Sequence, residues 1–378
     1  MKTEPVKGFN DYSGEEARKR AEIKKILVEI FEEYGFEPAE TPLIEYEEFV
    51  KGENSNDEAV SDIFRLKDKG KRNLALRYEF TFQLKRLMKN KKLPYRRYQI
   101  GPVFRDEPVS SNRFRQITQG DIDVVGSTIK EEAEILSIAK KALDKLGFKF
   151  KIYFNNRKLL NEILDEQGIK NKEKVIKEID KLDKLSEKDV RNNLKKIKAE
   201  NIFKIFKEKE DYFKRYKSYA EIEELKKYCK YYNIDIVFSP SLARGLSYYN
   251  GTIFEIKTEG TRESICAGGS YIFDKVQCTG ISFGLDRLTK VSKIKPEEET
   301  IMVLSINKDQ EAIKIAEKLR QEGKKVVIYY GKPSKALQYT NSYNIKKVIF
   351  IGGKETEKGV LRIKDMKTGK EISRKDYK

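Results

Sequence analysis

Apolar positions near the start of the chain recur at helical spacing. Ala21, Ile23, Ile26, Leu27, Ile30 and Phe31 fall on one side of the stretch Ser13–Tyr34, which opens with a capping serine followed by Glu15 and Glu16. The spacing predicts an amphipathic helix ended by Gly35. Residues 36–46 are expected to be extended, because Pro38 and Pro42 do not fit inside a helix. Strands are predicted at Asn73–Arg77, Arg96–Phe104 and Asp121–Val125, with a helix at Lys130–Leu146. Between 151 and 232 apolar residues alternate with Lys and Glu at helical period and glycine is scarce, which predicts a mostly helical insertion. Past Ile234 the chain turns to β-branched runs punctuated by glycine, the pattern of strands and tight turns, closing in a helix from about Gly284. Val291–Thr300 is short, charged and proline-bearing, a linker candidate. Beyond it the pattern alternates β-α-β-α-β, with helices at Asp309–Glu322 and Ser334–Tyr343, and implies a small, largely parallel sheet.

Composition narrows the chemistry. The 378 residues allow two or three domains. With 37% charged residues, no stretch reaches the roughly 20 uninterrupted apolar residues that cross a bilayer, and the first ten residues hold no apolar signal core. A cytoplasmic location is expected. Cys229, Cys266 and Cys278 form no C-x-x-C pair and make neither a disulfide framework nor a zinc site. The chain has no histidine, which excludes Ser-His-Asp, Cys-His and His-ligated metal mechanisms. Catalysis must therefore use Arg, Lys, carboxylates, Tyr or a carboxylate-held cation. The net charge of +18 is uneven: +2 over residues 1–150, +7 over 151–232, −1 over 233–300 and +10 over 301–378. A polyanion-binding protein with a separate neutral core would carry its charge this way, and so would a Lys-rich solvated surface.

Three polar constellations stand out. In residues 98–126 a strand ends in Phe104-Arg105-Asp106-Glu107, a polar loop follows at Pro108–Asn112, and a return strand runs through Arg113, Arg115, Gln119 and Asp123. Strand alternation places Arg113 with Arg115, and Gln119 with Asp121 and Asp123, so cations and carboxylates can converge. Guanidinium groups suit phosphate because their fork donates paired hydrogen bonds; a solvated hairpin with salt bridges fits the same pattern. The second constellation, Leu242–Tyr249, sets Arg244 beside Gly245 and paired tyrosines. The third, Gly280–Leu288, runs a strand into a helix with Arg287 in its first turn, placed to meet a base or a phosphate or to pair with Asp286 or Glu298. No phosphate-binding glycine loop occurs, so arginines would hold the phosphates of any nucleotide.

Together these segments resemble a known family. FRDE (104–107) followed by RFRQ (113–116), and GISFGLDRL (280–288), look like motifs 2 and 3 of class II aminoacyl-tRNA synthetases, and GFEPAETPLIE (35–45) looks like motif 1. LARGLSYYNGTIFE (242–255) is the feature of histidyl-tRNA synthetases within that class, and KGFNDYSGEEARKR (7–20) with FRLKDKGKRNLALRYEFT (64–81) is most similar to the archaeal type. The resemblance implies an α+β fold: a class II catalytic domain over 1–150 and 233–295 with an antiparallel sheet flanked by helices, a helical insertion over 151–232, and an α/β anticodon-binding domain over 301–378. It implies ATP, Mg²⁺, L-histidine and tRNA(His) as ligands, and a homodimer built around motif 1. By position, Arg105 would bind the α-phosphate and the amino-acid carboxylate, Glu107 the adenine side, and Arg113 the outer phosphates. Arg287 would cover adenine and the γ-phosphate, and Arg244 would stabilise charge developing at the α-phosphate. Glu79, Thr81 and Gln119 match positions that hold the α-ammonium group; Asp123 and Tyr249, with Tyr248 and Arg244 beside them, match those around the imidazole.

The sequence departs from the family at Tyr78, where proline is usual, at Ser247, where aspartate is common, and at Gly268–Ile272, which replaces a GGRYD pattern. The implied activity is histidine–tRNA ligation. The alternatives are a catalytically silent paralogue acting as regulatory subunit of ATP phosphoribosyltransferase and a tRNA sensor without ligase activity.

Overall fold

The computed structural model describes residues 1–51, 62–110, 113–183, 185–245, 248–259, 263–296 and 300–375. Ser111, Asn112, Leu246, Ser247, Glu298 and the middle of the 291–300 linker lie outside them. The chain divides into two units, Met1–Ile294 and Lys295–Lys378.

The first unit opens with helix α1 (Gly14–Glu33), whose Ile23, Leu27, Ile30 and Phe31 are buried. Gly35, at φ 74°, ends it in the left-handed conformation that glycine adopts without a Cβ clash. Strand β1 (Glu37–Pro38) follows, then β2 (Ile44–Tyr46), α2 (Glu47–Lys51), β3 (Arg65–Lys67), β4 (Asn73–Leu76) and α3 (Leu84–Leu87). The hairpin strands are β5 (Tyr95–Phe104) and β6 (Gln116–Val125), leading into α4 (Ile129–Lys145). Thr128 and Glu131 close the start of α4 with a reciprocal capping box.

The 151–232 stretch begins inside β7 (Phe150–Asn156), which is part of the main sheet. Its helices are α5 (Arg157–Glu166), α6 (Lys172–Asp180), α7 (Glu187–Lys196), α8 (Ile202–Ile205), α9 (Glu210–Phe213) and α10 (Tyr219–Tyr231). The chain returns through β8 (Ile236–Phe238), β9 (Tyr249–Thr258), β10 (Cys266–Phe273), β11 (Val276–Gly284) and α11 (Leu285–Val291).

Eight strands form the main sheet in the order β1-β5-β6-β11-β10-β9-β7-β8, and β2, β4 and β3 form a small antiparallel sheet. The interior pairs are antiparallel, while the outermost, β1/β5 and β7/β8, are parallel. Alternation along β6 divides the sheet's two faces. Ile122 and Val124 join α1 and α4 in the core, and a side chain at Gly120 would meet Leu27. Gln119, Asp121 and Asp123 therefore face the other way.

The second unit holds β12 (Thr300–Ser305), α12 (Asp309–Gln321), β13 (Lys325–Tyr330), α13 (Pro333–Ser342), β14 (Lys347–Ile351), α14 (Gly353–Lys358), β15 (Leu361–Asp365) and β16 (Glu371–Arg374). The order is β13-β12-β14-β15-β16, with the first three parallel and the last two added antiparallel. Ile301 and Val303 pack towards α12 on one side, and Met302 and Leu304 towards Ala336 of α13 on the other, so this unit has its own core.

Candidate active site

The polar face of the sheet is built from three strands in register. Arg97 of β5 lies opposite Asp123 of β6, and Asp123 lies opposite Gly280 of β11. A Cβ at position 280 would come within 2.1 Å of an Asp123 carboxylate oxygen, so glycine makes the room in which that carboxylate lies. Arg97 has no exposed surface, and its Nη2 stands 2.6 Å from Asp123 Oδ2 and donates to the Phe80 carbonyl at 3.1 Å. The hydroxyl of Tyr271 donates to Asp123 Oδ1. The 2.6 Å approach to Oδ2 is not aligned as a hydrogen bond, so Oδ2 retains acceptor capacity. Burial raises the Asp123 carboxyl above the usual carboxylate range, and Arg97 opposes that rise.

Glu79 is buried just after β4 and accepts from the Phe82 amide at 2.8 Å and from the Tyr248 hydroxyl at 3.4 Å. Burial pushes its carboxyl up to about 7; the Thr81 hydroxyl hydrogen-bonds it and, with the Phe82 amide, opposes the shift. Gln119 leaves its amide oxygen buried without a hydrogen-bond partner. The Tyr248 and Tyr249 rings stand 4.7 Å apart, and Tyr249 is buried beside Ile253.

The arginines converge from separate segments. Arg105 stacks its guanidinium over the Tyr78 ring at 4.6 Å, with Glu107, Glu79 and Asp121 in electrostatic range, and its Nε is buried without a partner. The residue that replaces the family's proline thus serves as a cation–π platform. Arg113 pairs through its backbone with Ser110 across the hairpin tip. Arg244 follows a loop pinned by Asn155, whose amide donates to the carbonyls of Pro240 and Leu242. Its Nη1 donates to Glu255 at 2.8 Å; Glu255 has no exposed surface and also lies 3.2 Å from Lys257. Burial works against the charge on Arg244, and Glu255, with Tyr249 and Asp180, more than offsets it and holds the guanidinium protonated.

Arg287 donates to the Ser264 carbonyl at 2.7 Å and stands 3.7 Å from Glu263. Asp286 turns instead to α1, pairing with Arg20 at 2.6 Å and accepting from the Thr118 amide at 2.7 Å. The helix-start pairing of Arg287 with Asp286 admitted by the sequence is therefore not the one formed. Burial, then Arg105, Arg113 and Arg244, lower the proton affinity of Arg287, with Glu263 opposing. Four guanidinium groups from distant segments thus share one electrostatic neighbourhood beside three buried carboxyls, Glu79, Asp121 and Asp123.

Every candidate site residue is among those described, whereas Ser111, Asn112, Ser247 and Glu298 are not; Arg105, Arg113 and Arg244 come within electrostatic range of Arg287, and Asp123 and Tyr248 within that of Glu79. Sequence reasoning missed Arg97, Tyr271, Ser282 and Glu255. Arg97 was accessible by counting the hairpin register back from Asp123; Glu255 and Ser282 lie on strands whose neighbours no local pattern reveals. Ser270, one of the departures, is on the opposite face, where its hydroxyl meets the Thr252 carbonyl at 3.2 Å and the buried Glu132 carboxyl.

A family model described as histidyl-tRNA synthetase matches residues 8–288, and one described as anticodon binding domain matches 300–376. The chain belongs to the histidyl-tRNA synthetase family. It is 33% identical to Histidine–tRNA ligase 2 of Shouchella clausii over 410 residues, covering 97% of this chain and 96% of that protein. It is 32% identical to Histidine–tRNA ligase of Methanocaldococcus jannaschii, covering 97% and 95%. Its fold is similar to that of histidyl-tRNA synthetase from Nostoc sp. PCC 7120, with a TM-score of 0.85 at 24% identity over 99% of this chain and 97% of that one. It is also similar to an ATP phosphoribosyltransferase regulatory subunit/histidyl-tRNA synthetase from Bacillus halodurans, with a TM-score of 0.77 at 21% identity over 92% and 98%. A class II synthetase fold with a C-terminal anticodon-binding domain is thus established for this family member, as the sequence leads one to expect. Among the described residues no helix is long and apolar enough to cross a membrane.

Proposed function

We propose that the chain is a histidine–tRNA ligase. The observation that carries this reading is the set of four convergent arginines near the polar groups of Glu79, Gln119 and Asp123. A carboxylate oxygen of histidine attacks the α-phosphorus of ATP, the bond to the β-phosphate bridge breaks, and pyrophosphate leaves. The 3′-terminal hydroxyl of tRNA(His) then attacks the activated carbonyl and releases AMP. Arg105 holds the α-phosphate and the histidine carboxylate, Arg113 and Arg287 the outer phosphates, and Arg287 with Glu107 the adenine. Arg244, locked against Glu255, offers its partnerless Nε to the charge that grows at the α-phosphate. Mg²⁺ would enter with ATP and neutralise phosphate charge that the arginines leave.

Glu79, Thr81 and Gln119 take the α-ammonium group. Asp123 accepts from one imidazole nitrogen through Oδ2 and Tyr249 serves the other, a polar reading that rejects apolar analogues. The 301–378 unit, with its charge of +10, would grip the anticodon arm, and the basic 151–232 stretch the acceptor stem. Leu43, Ile44 and Tyr46, 45%, 49% and 53% exposed, form an apolar strip at the motif 1 segment that fits a homodimer interface. Protein synthesis places such an enzyme in the cytoplasm. Segments 7–20 and 64–81 support the archaeal type; overall, the relatives from Shouchella and Methanocaldococcus are 33% and 32% identical.

The deciding experiment is ATP–pyrophosphate exchange with each of the twenty amino acids. Exchange with histidine alone is expected. The similarity to the Bacillus halodurans protein keeps a silent regulatory paralogue as the second reading, and absence of exchange with every amino acid would select it.

A further inference from the structure

Asp121 has no part in the mechanism above, yet it is only 5% exposed and shares the pocket side of β6 with Gln119 and Asp123. Its partner is Ser282, which lies opposite it on β11 and donates its hydroxyl to Asp121 Oδ1 at 2.7 Å. The same hydroxyl oxygen accepts from Nε2 of Gln119 at 2.5 Å. Burial pushes the Asp121 carboxyl up to about 7, with Arg97 opposing, so above that pH it is a carboxylate; a serine hydroxyl has one proton, and an ionised carboxylate can only accept. With the proton committed to Asp121, the oxygen of Ser282 can only accept, so the NH₂ end of Gln119 must face it. The amide oxygen of Gln119 is thereby turned away from Ser282, and it is this atom that is buried without a partner. A buried carbonyl left bare costs free energy unless a donor arrives.

We propose that Asp121 and Ser282 form a polarity relay that holds Gln119 with its amide oxygen presented to the α-ammonium group of the amino-acid substrate. Both are positioning residues that act through Gln119. The inference rests on the ligase reading for the identity of that substrate. Without the relay the Gln119 amide is free to turn over and present its NH₂ group to the ammonium, two donors facing each other. The relay thus selects for substrates that carry a free α-amino group and is indifferent to the imidazole.

The test measures binding to the full-length protein by calorimetry at pH 8, where Asp121 is ionised, with two ligands: L-histidine and imidazolepropionate, which keeps ring and carboxylate but lacks the α-amino group. In Ser282→Ala the preference for L-histidine over imidazolepropionate is expected to fall roughly tenfold or more, the usual weight of a charge-assisted hydrogen bond. Asp121→Asn, which can donate as well as accept, should lower the preference in the same direction. Ser282→Thr keeps the hydroxyl and should restore it to within about threefold. A purely structural role would weaken both ligands alike and leave the preference unchanged. That result, or a wild-type preference in both Ser282→Ala and Asp121→Asn, overturns the relay. A wild-type protein that binds histidine but supports no exchange overturns the ligase reading, and the relay is then judged by the same ratio; one that binds no histidine overturns both.

Discussion

Arg97 and Asp123 are a buried ion pair in which the cation has no exposed surface and two of its nitrogens, Nε and Nη1, lack partners. Such a pair adds little net stability, but removing one member strands the other. Arg97→Met is expected to destabilise the first unit by about 3–5 kcal/mol in urea unfolding, and adding Asp123→Asn should recover part of that loss. At Arg244 the expectation is kinetic. Arg244→Lys keeps a cation beside Glu255 and loses the fork, so the turnover of pyrophosphate exchange should fall roughly 100-fold, with the KM for ATP changed by less than about threefold. An equal fall in ATP affinity would show that Arg244 binds the ground state instead.

At the scale of elements, α4 carries a group whose ionisation opposes folding. Glu132, in its first turn, is buried against the sheet beside the hydroxyls of Thr252 and Ser270, and burial pushes its carboxyl up to about 7. The folded protein therefore holds a proton that the unfolded chain releases at ordinary carboxylate pH. Stability falls as pH rises from about 4.5 to 7, by up to roughly 3 kcal/mol from this group. Glu132→Gln, which cannot ionise, should melt higher than wild type at pH 8 and by a smaller margin at pH 5. Elements with strong local signals were legible in the sequence: α1 from its apolar face and terminal glycine, α4 as a helix, and the β5/β6 hairpin from its loop. Pairings between distant segments were not. Nothing local to β11 shows that it lies between β6 and β10, and so nothing local reveals Ser282 beside Asp121. In the second unit the predicted alternation stops at β14, because the polar, weakly alternating residues 361–374 gave no strand signal for the β15/β16 hairpin. The candidate site residues were legible as a set because each falls in a recognisable motif, whereas the role of Ser282 depends on a carboxylate that only the pairing of β11 with β6 brings beside it.

The molecule as a whole consists of two units with separate cores, and the charge they carry differs. A chain ending at Ile294 retains every residue of the candidate site. It is expected to catalyse histidine-dependent exchange within about threefold of the full chain while losing most tRNA charging at physiological salt. Normal charging by the truncated chain would assign tRNA binding to the first unit alone. The arginine cluster has a consequence for the order of events in a turnover. The charges of Arg105, Arg113 and Arg244 oppose that of Arg287, a repulsion that a compact polyanion bound among them would relieve. Pyrophosphate alone should then raise the melting temperature of the first unit. As the densest anion produced in the reaction, pyrophosphate would also be the species that the site gives up most reluctantly, which makes its departure the expected slow step of activation.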